Sequence, residues 1–448
     1  AADTSNSDSL DSNIYVYGTV NVKDWDYQND SNTFNLTSYH GQDTRHINVP
    51  NLNDFDNAGV KIGNATGVGI SSKLARSLAS QSLAFAISKT SGKYSDKVTA
   101  TDNDWSRVFY NTGLINADLS NLDTRNITDM DYLFEESTGL KTVGDLSHWD
   151  TSNVTDMSHM FTLYKGVIGG LSHWDTSNVT DMSDMFNCYE GVLGDLSHWN
   201  VSNVRDMSAM FADYNGVIGD LSHWDTSNVR DMAQMFYSYK GVIGDLSHWN
   251  VSNVRDMSDM FYCYKGVLGD LSHWDTSNVT DMEEMFVYSS ASVSGLNTWN
   301  TRQTTNMSGM FAASSVPYKI VAANESSIVP NQVTLRDNTG KFLAIIDTPT
   351  IYDSNKSVRS TIDGMVQAEI DKLNKLNHTS YETPKIISDG DDDYSIANAT
   401  YVVSQSKTGL INYVDQDGKV VKTDQVSGKV GDQINVKLSL PDGYELAN

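Results

Sequence analysis

The chain has 448 residues, enough for about two to four domains, and its 57 acidic against 31 basic side chains give a formal net charge of −26. This charge argues against nucleic acid and anionic membranes as partners, because both are bound through basic faces, and it leaves cationic partners and calcium open. The two cysteines, Cys188 and Cys263, exclude a disulfide framework, and the absence of an apolar run of about 20 residues excludes a membrane-spanning helix.

Residues 1–118 lack a repeated pattern and are predicted to form an N-terminal α+β module. The first residues, AADTSNSDS, are typical of the polar start of a mature secreted chain or of a trimmed one. VNVKDWDY, TFNLTSYH and RHINVPNL predict strands, and SSKLARSLASQSLAFAI predicts a helix. The module is expected to cap the first apolar face of the repeats that follow, with NDWSRVFYNTG, from Asn103, as the junction.

Residues 119–315 contain eight copies of a 25-residue unit, of which LSHWDTSNVTDMSDMF at 171–186 is representative. The first copy, LSNLDTRNITDMDYLF, begins at Leu119 and places Leu122 where the other copies have tryptophan. A unit this short cannot bury its own apolar face, whereas stacked units can, which predicts a solenoid with a continuous core. The repeated tryptophans are Trp149, Trp174, Trp199, Trp224, Trp249, Trp274 and Trp299.

Each unit is predicted to follow the same short path. LSHW and NVTDM predict two strands, MSDMF predicts a helical turn, and the Tyr-x-Gly at 189–191 predicts the return corner. The predicted fold class is a β-rich repeat solenoid, leucine-rich-repeat-like, with α+β flanking modules and a partial β-rich C-terminal domain. Parallel strands about 4.8 Å apart would give the repeats a rod of roughly 34 Å. No copy from Trp149 to Trp299 has an enlarged loop, which argues against an active site there.

Most repeated positions are explained by architecture. The tryptophans are predicted to be core rather than a strip for stacking sugars, because Leu122 replaces one of them, and Met182 and Met185 are also assigned to the core. The repeated Asn, as in Asn178, predicts a hydrogen-bonded ladder at a corner. The repeated Asp, as in Asp181, predicts an N-cap for the MSxMF turn. Calcium binding by the stacked carboxylates is the alternative, although the Gly-Gly-x-Gly-x-Asp spacing of calcium repeats is missing.

Six histidines occupy one position in successive units. They are predicted to form a stack of neutral, half-exposed rings, and the alternative, a zinc site, lacks an obvious further Cys or His ligand. Mild acid is expected to charge the whole column, because histidine titrates near neutrality, so stability or binding should change below about pH 6. The column consists of His148, His173, His198, His223, His248 and His273.

The surface positions that differ between units are the candidates for specificity. Arginine replaces threonine at one position of three consecutive units, and lysine recurs at the tyrosine corner. The arginines either neutralise the neighbouring Asp column or form a cationic stripe for sulfate or sialate groups. The corner tyrosines are expected to belong to an exposed face, which Tyr237 and Tyr262 enlarge. The candidate ligand-binding residues are Arg205, Arg230, Arg255, Tyr164, Tyr189, Tyr214, Tyr239, Tyr264, Lys240 and Lys265.

Residues 316–378 are predicted to form a C-terminal cap module. VPYKIVAAN, NQVTLRD and FLAIIDTP predict strands, and residues 357–377 predict a helix with Val358, Ile362, Val366 and Ile370 on one apolar face. Residues 379–398, with the acidic run 391–393, predict a linker. Residues 399–448 predict a partial β-rich domain with a hairpin turn at DQDGK.

Two stretches resemble known families. The unit WDTSNVTDMSDMF, over residues 119–315, resembles the repeat of BspA-like leucine-rich-repeat surface proteins of bacteria. The segment from Ile411 to Asn448 resembles the start of a mucin-binding (MucBP) domain, with DGK at 417–419, GKVGD at 428–432 and LPDGY at 440–444. The combination is similar to cell-wall adhesins of lactobacilli, which implies a secreted cell-surface protein anchored through a C-terminal region outside this chain.

The resemblance implies a non-enzymatic adhesin that binds host mucin or matrix glycans and glycoproteins through the repeat surface. Nucleic acid and membrane insertion are not expected, and the chain is expected to be monomeric. The alternative is a rigid stalk that presents the N-terminal module or mucin-binding domains and binds no ligand itself. A glycan-cleaving enzyme is disfavoured, because no acidic pair lies in a non-repeated loop flanked by aromatic residues.

Overall fold

The computed structural model describes residues 17–301, 303–307, 309–316, 332–348, 358–382, 385–386, 400–430 and 433–446. These residues form a β-rich structure with small sheets and few helices. Two apolar clusters exist among them, one formed by the N-terminal module and the repeats and the other by the residues around the long C-terminal helix.

The N-terminal module begins with a hairpin and continues with parallel strands. The predicted strands TFNLTSYH and RHINVPNL are confirmed, whereas VNVKDWDY is a strand only from Trp25, because Val22–Asp24 form a 3-10 helix. The predicted helix over 71–87 ends at Ala79, because the AFAI segment is fully buried and forms a strand. The N-terminal elements are β1 (Trp25–Asp30), β2 (Thr33–Tyr39), β3 (His46–Val49), α1 (Leu52–Asn57), β4 (Gly67–Ile70), α2 (Ser72–Ala79), β5 (Ala84–Ile87), β6 (Val98–Ala100), β7 (Asn116–Asp118) and β8 (Leu122–Asp123).

Two sheets of mostly parallel strands connect this module to the repeats. One has the strand order β1-β2-β4-β6-β8 and the other β3-β5-β7. All pairings after the β1–β2 hairpin are parallel, and Val98 of β6 pairs with Leu122 of β8 in the first repeat. The first apolar cluster therefore runs from Val22 to Val316.

Successive units stack in parallel register, and the parallel β-bridges between them recur at one position of the unit. The repeated Asp forms single parallel bridges to its equivalents in the neighbouring units, as Asp156 does with Asp181. The predicted strand at LSHW is wrong: it is a β-turn in which the Trp174 N–H donates to the Leu171 carbonyl, 3.1 Å away. Within the described part of 119–315, strands beyond β8 are limited to β9 (Val267–Asp270) and β10 (Ser292–Ser294).

The predicted helical turn at MSDMF is also wrong. Asp184 and Cys188 both have a φ of 54°, in the left-handed region, so the segment forms consecutive β-turns. The N–H groups of Asp184, Phe186 and Cys188 donate to carbonyls of the next unit at 2.7, 3.0 and 2.9 Å. A helix would satisfy these donors internally and leave none for the neighbouring unit.

The tryptophan, methionine and phenylalanine columns fill the interior, which confirms the core assignment. The Trp149 and Trp174 rings stack with centroids 6.3 Å apart and an interplanar angle of 4°. The Trp174 indole N–H donates to the Leu146 carbonyl of the preceding unit at 2.9 Å. Each tryptophan thus buries a large ring and satisfies its one donor across the unit boundary.

The C-terminal part contains a small α+β unit and a hairpin. A four-stranded sheet has the order β12-β11-β14-β13, and Ile362, Val366 and Ile370 of the confirmed helix are buried in its apolar cluster. Lys385–Ile386, inside the predicted linker, pairs with β14. The elements are β11 (Gln332–Asp337), β12 (Phe342–Asp347), α3 (Val358–Asn377), β13 (Lys385–Ile386), β14 (Thr400–Val403), β15 (Ser406–Val414) and β16 (Val420–Lys429).

Strands β15 and β16 pair antiparallel across the DQDGK turn, which confirms that hairpin. Gly418, with a φ of 80°, lies where the turn needs a left-handed residue. The predicted strands NQVTLRD and FLAIIDTP are confirmed as β11 and β12. VPYKIVAAN after Val316 and the acidic run at 391–393 lie outside the described residues.

Candidate functional site

The three arginines that replace threonine lie on consecutive units with exposed side chains. Their backbones are in register: the Arg230 N–H donates to the Arg205 carbonyl and the Arg255 N–H to the Arg230 carbonyl, both at 2.8 Å. We call Arg205, Arg230 and Arg255 the arginine column. Within the described ranges no ion pair involves any of the three, and the interpretation that they neutralise the Asp column stays a prediction.

The Asp column beside them has a structural task. The Asp156 carboxylate accepts from the N–H and the hydroxyl of Ser158 at 2.9 and 2.6 Å, which fixes the first β-turn of the segment rather than capping a helix. Burial, followed by the carboxylates of Asp206 and Asp256, raises the pKa of Asp231 to about 6. The carboxylates of the neighbouring units therefore repel that of Asp231.

One part of the Asp column brings three carboxylates together. Oxygens of Asp129, Asp131 and Asp156 lie within 4.8 Å of one another, because Asp131 occupies the position that Ser158 has in the next unit. Burial, followed by Asp129 and Asp156, raises the pKa of Asp131 to about 6. Carboxylate oxygens suit calcium, but calcium takes about six to eight oxygen ligands, more than these three side chains supply.

The histidine column is exposed along one edge of the repeats, where each histidine is the third residue of the LSHW turn. A shallow cavity on this edge is lined by His248, His273, Asp270 and Asp275. The described histidines of this column do not form any group of three close metal ligands, which leaves the zinc alternative without support. The expected response of the column to acid stays a prediction.

The corner tyrosines are not exposed, and this expectation is wrong for Tyr164, Tyr189, Tyr214, Tyr239 and Tyr264. Their rings stack in the core, with Tyr164 and Tyr189 6.0 Å apart, and the Tyr189 hydroxyl donates to the Gly166 carbonyl at 3.1 Å. Burial strongly raises the pKa of Tyr189. Buried rings cannot stack on a ligand, whereas Lys240 and Lys265 at the same corner are exposed.

A column of exposed valines next to this corner was missed. Val192, Val217 and Val242 are 72%, 74% and 74% exposed, with Val167 and Val267 at the ends of the column. Val192 and Leu193 are adjacent apolar residues, and only Leu193 is buried. The equivalent Val267 and Leu268 begin strand β9, in which adjacent side chains point to opposite sides, so that Val267 is exposed and Leu268 is buried.

A second missed surface is formed by the outward residues of the left-handed turns, which we call the turn face. At one end His159 stacks on Tyr132 with centroids 4.3 Å apart, and its ring nitrogens lie 3.6 Å from carboxylates of Glu135 and Asp184. Arg107 lies over the Tyr132 ring, 4.5 Å from its centroid. The signal was available, because the copies differ most here: SHMFTLY, SDMFNCY, SAMFADY, AQMFYSY, SDMFYCY and EEMFVYS.

The other end of the turn face carries tyrosines. Tyr237 and Tyr262 are partly exposed and stack with centroids 4.6 Å apart. Tyr288 is 44% exposed and meets Tyr262 edge-on, with centroids 6.0 Å apart. Tyr237 and Tyr262 therefore do not enlarge a face of the corner tyrosines, because they lie on a different surface from those buried rings.

No helix in the described residues has both the length and the apolar composition needed to cross a bilayer. A family model described as "Mycoplasma protein of unknown function, DUF285" matches four overlapping stretches, 92–187, 139–240, 163–271 and 214–322. Together these stretches span 231 of the 448 residues, more than half of the chain. A MucBP domain model matches residues 410–448. No curated protein and no solved structure matches the chain.

Proposed function

The chain belongs to the DUF285 family, and because it also carries a MucBP domain match, we propose that it is a bacterial cell-surface adhesin for host mucin glycans or matrix components. The match at 410–448 is the observation that carries the proposal, since it points to a mucin-binding surface protein. In this proposal residues 119–315 form a leucine-rich-repeat-like solenoid whose surface takes part in binding. The protein is secreted, anchored in the cell wall as in lactobacillus adhesins, monomeric and without catalytic activity.

The arginine column supports a role for the repeats in binding. Its three guanidinium groups are exposed, lie on consecutive units and form no ion pair among the described residues. A guanidinium presents two parallel donors that match the oxygens of a carboxylate or sulfate group. In a chain with a net charge of −26, a local row of cations selects for the acidic groups of sialylated or sulfated glycans.

The competing proposal is a stalk that binds nothing itself. It is favoured by the uniform backbone path of the units and the single apolar cluster from Val22 to Val316, which would keep a rod rigid. In that case recognition belongs to the MucBP domain or the N-terminal module, and the outward columns of the repeats are only solvated surface.

Replacing Arg205, Arg230 and Arg255 with threonine in the full chain separates these proposals. Threonine occupies the same position in neighbouring units, where the Thr180 hydroxyl donates to the Thr155 carbonyl at 3.2 Å, so the stack should be preserved. Each arginine is expected to form one exposed charge pair with an acidic group of the glycan, worth about 0.5 kcal/mol. Loss of all three pairs should weaken binding to sialylated or sulfated mucin roughly tenfold. Biolayer interferometry on immobilised mucin measures the change.

A charge-matched control replaces Lys61, Lys73 and Lys97, which are exposed on the N-terminal module, with threonine. This variant should bind mucin as the parent does. An equal loss in both variants would assign the effect to net charge, and unchanged binding by the arginine variant would favour the stalk. A further variant with Lys240→Asn and Lys265→Asn, the residue found at this corner in Asn215, tests the corner lysines separately.

A further inference from the structure

We propose that Tyr237, Tyr262 and Tyr288, with the carboxylates of Asp213, Asp259 and Glu284, form a binding site for a neutral pyranose sugar on the turn face. We call these six residues the tyrosine platform. The inference rests on the proposed function and deepens it, because it assigns a second site, away from the arginine column, and a class of sugar.

The three tyrosines come from consecutive units and are held in register by the backbone. The Asp213 N–H donates to the Tyr237 carbonyl, the Ser238 N–H to the Tyr262 carbonyl and the Cys263 N–H to the Val287 carbonyl, each at 2.8 Å. Tyr288 follows Val287 directly. The rings therefore meet on one surface through the stacking of the units and not through a flexible loop.

The fold does not require aromatic side chains at these positions. The units that lack Tyr237 and Tyr262 carry Thr162, Asn187, Ala212 and Val287 at the equivalent place. These units stack with the same backbone hydrogen bonds between neighbours. Two adjacent tyrosines followed by a third in the next unit are thus a local departure from the repeat, which points to recognition rather than architecture.

The arrangement leaves one side of the Tyr237 ring without an aromatic neighbour. One side packs on Tyr262, while the preceding unit offers only the methyl group of Ala212 at the equivalent position. Among the described residues no other ring lies within stacking distance of Tyr237. A partly exposed ring beside a small residue can receive a flat apolar face such as the C–H face of a pyranose.

The charges around the rings select the kind of sugar. Asp213, Asp259 and Glu284 are left-handed residues of the same turns that carry the rings, with φ values of 53°, 55° and 50°. Burial, followed by the charges of Asp259, Asp213 and Glu284, raises the pKa of Tyr237. Carboxylates accept hydrogen bonds from sugar hydroxyls, and such charge-assisted bonds are strong. The same carboxylates repel sialate and sulfate. The platform therefore suits a neutral hexose or N-acetylhexosamine, in contrast to the arginine column.

The test uses the full chain and a variant with Tyr237→Thr, Tyr262→Asn and Tyr288→Ser, which are residues found at the same positions in Thr162, Asn187 and Ser238. The probes are N-acetyllactosamine and sialylated N-acetyllactosamine, measured by saturation-transfer NMR and a glycan array. The parent should bind the neutral probe, and the variant should bind it at least tenfold more weakly. Tyr237→Phe should retain binding, since stacking uses the ring carbons.

Three results would overturn the inference: a parent that does not bind neutral sugar, a variant that binds it as the parent does, or a site that binds polylysine in place of sugar. The variant in which threonine replaces the three arginines distinguishes failure of the tyrosine platform from failure of the adhesin proposal. If it loses acidic glycans while the tyrosine variant loses nothing, only the platform fails. If neither the parent nor any variant binds mucin, both proposals fail. Thermal unfolding of the tyrosine variant within a few degrees of the parent excludes a folding defect.

Discussion

At the scale of single residues, the residues that are identical in successive units are those that contact the neighbouring unit. The amide of Asn178 donates to the Ser152 carbonyl at 2.6 Å, which confirms the ladder predicted from sequence. The corner tyrosines could not be placed by the same reasoning, because Tyr-x-Gly is typical of an exposed turn. The glycine is required by packing, because a Cβ at Gly191 would lie 1.9 Å from the Tyr189 hydroxyl and would clash with the buried ring.

Asp131 offers a test at this scale, because it faces Asp129 and Asp156 where the next unit has a serine hydroxyl. Its pKa is raised to about 6, so its ionisation opposes folding above that pH and the penalty disappears as the pH falls towards 4. After allowance for solvent screening, we expect Asp131→Ser to raise the free energy of unfolding by about 1 kcal/mol at pH 7.5.

Urea denaturation at pH 7.5 and pH 4.5 measures this gain, which should be smaller at the lower pH. The matched reverse change, Ser158→Asp, removes the hydroxyl that donates to Asp156 and should destabilise the chain most at pH 7.5. A gain from Asp131→Ser that does not depend on pH would contradict the proposed repulsion.

At the scale of elements, most described strands of the flanking modules and the long C-terminal helix follow the sequence prediction, whereas the helix predicted over 71–87 is shorter than expected. The strand predicted at LSHW and the helical turn predicted at MSDMF are wrong. The spacing of Met182, Met185 and Phe186 imitates one face of a helix, although the segment contains left-handed residues at Asp184 and Cys188. The residue types at these two positions give little signal, because only five of the eighteen left-handed residues there are Asp, Asn or Gly, the types that tolerate a positive φ best. Periodicity alone cannot distinguish a helix from such a pair of turns.

Two neighbouring alanines test the left-handed turns. Ala313 has a φ of 51°, whereas Ala312 is not in the left-handed region. Ala313→Gly should raise the free energy of unfolding by about 0.5 kcal/mol because glycine removes the cost of the positive φ, while Ala312→Gly should lower it by about 1 kcal/mol. Ala313→Val should destabilise the chain by more than about 1 kcal/mol. Thermal unfolding of the three variants measures this, and equal effects of the two glycines would argue against the left-handed assignment.

At the scale of the whole molecule, the predicted eight units continue into the N-terminal module. Asp104 forms a parallel bridge to Asp129, and the Phe109 ring stacks on Phe134 with centroids 5.6 Å apart. The sequence predicts only a junction for this segment, because the apolar spacing of Trp105 to Phe109 is present there without the NVxDM motif. The family match beginning at residue 92 covers the same segment.

If the units are interchangeable parts of a solenoid, one can be removed without loss of the fold. Deletion of residues 201–225 removes 25 residues and keeps every column aligned. The product should fold, unfold cooperatively at a lower temperature and be about 4.8 Å shorter by small-angle X-ray scattering. Deletion of residues 201–220 shifts the columns and should prevent folding. Equal damage from both deletions would contradict the interchangeability of the units.

The central claim is that the full chain recognises the carbohydrate of mucin. The most direct measurement is the binding of the full chain to immobilised mucin before and after enzymatic removal of its O-linked glycans. The proposal predicts saturable binding to intact mucin that falls at least tenfold on the deglycosylated protein. Equal binding to both surfaces would show that the chain recognises polypeptide or charge rather than glycan and would contradict the assignment of carbohydrate sites to the repeats.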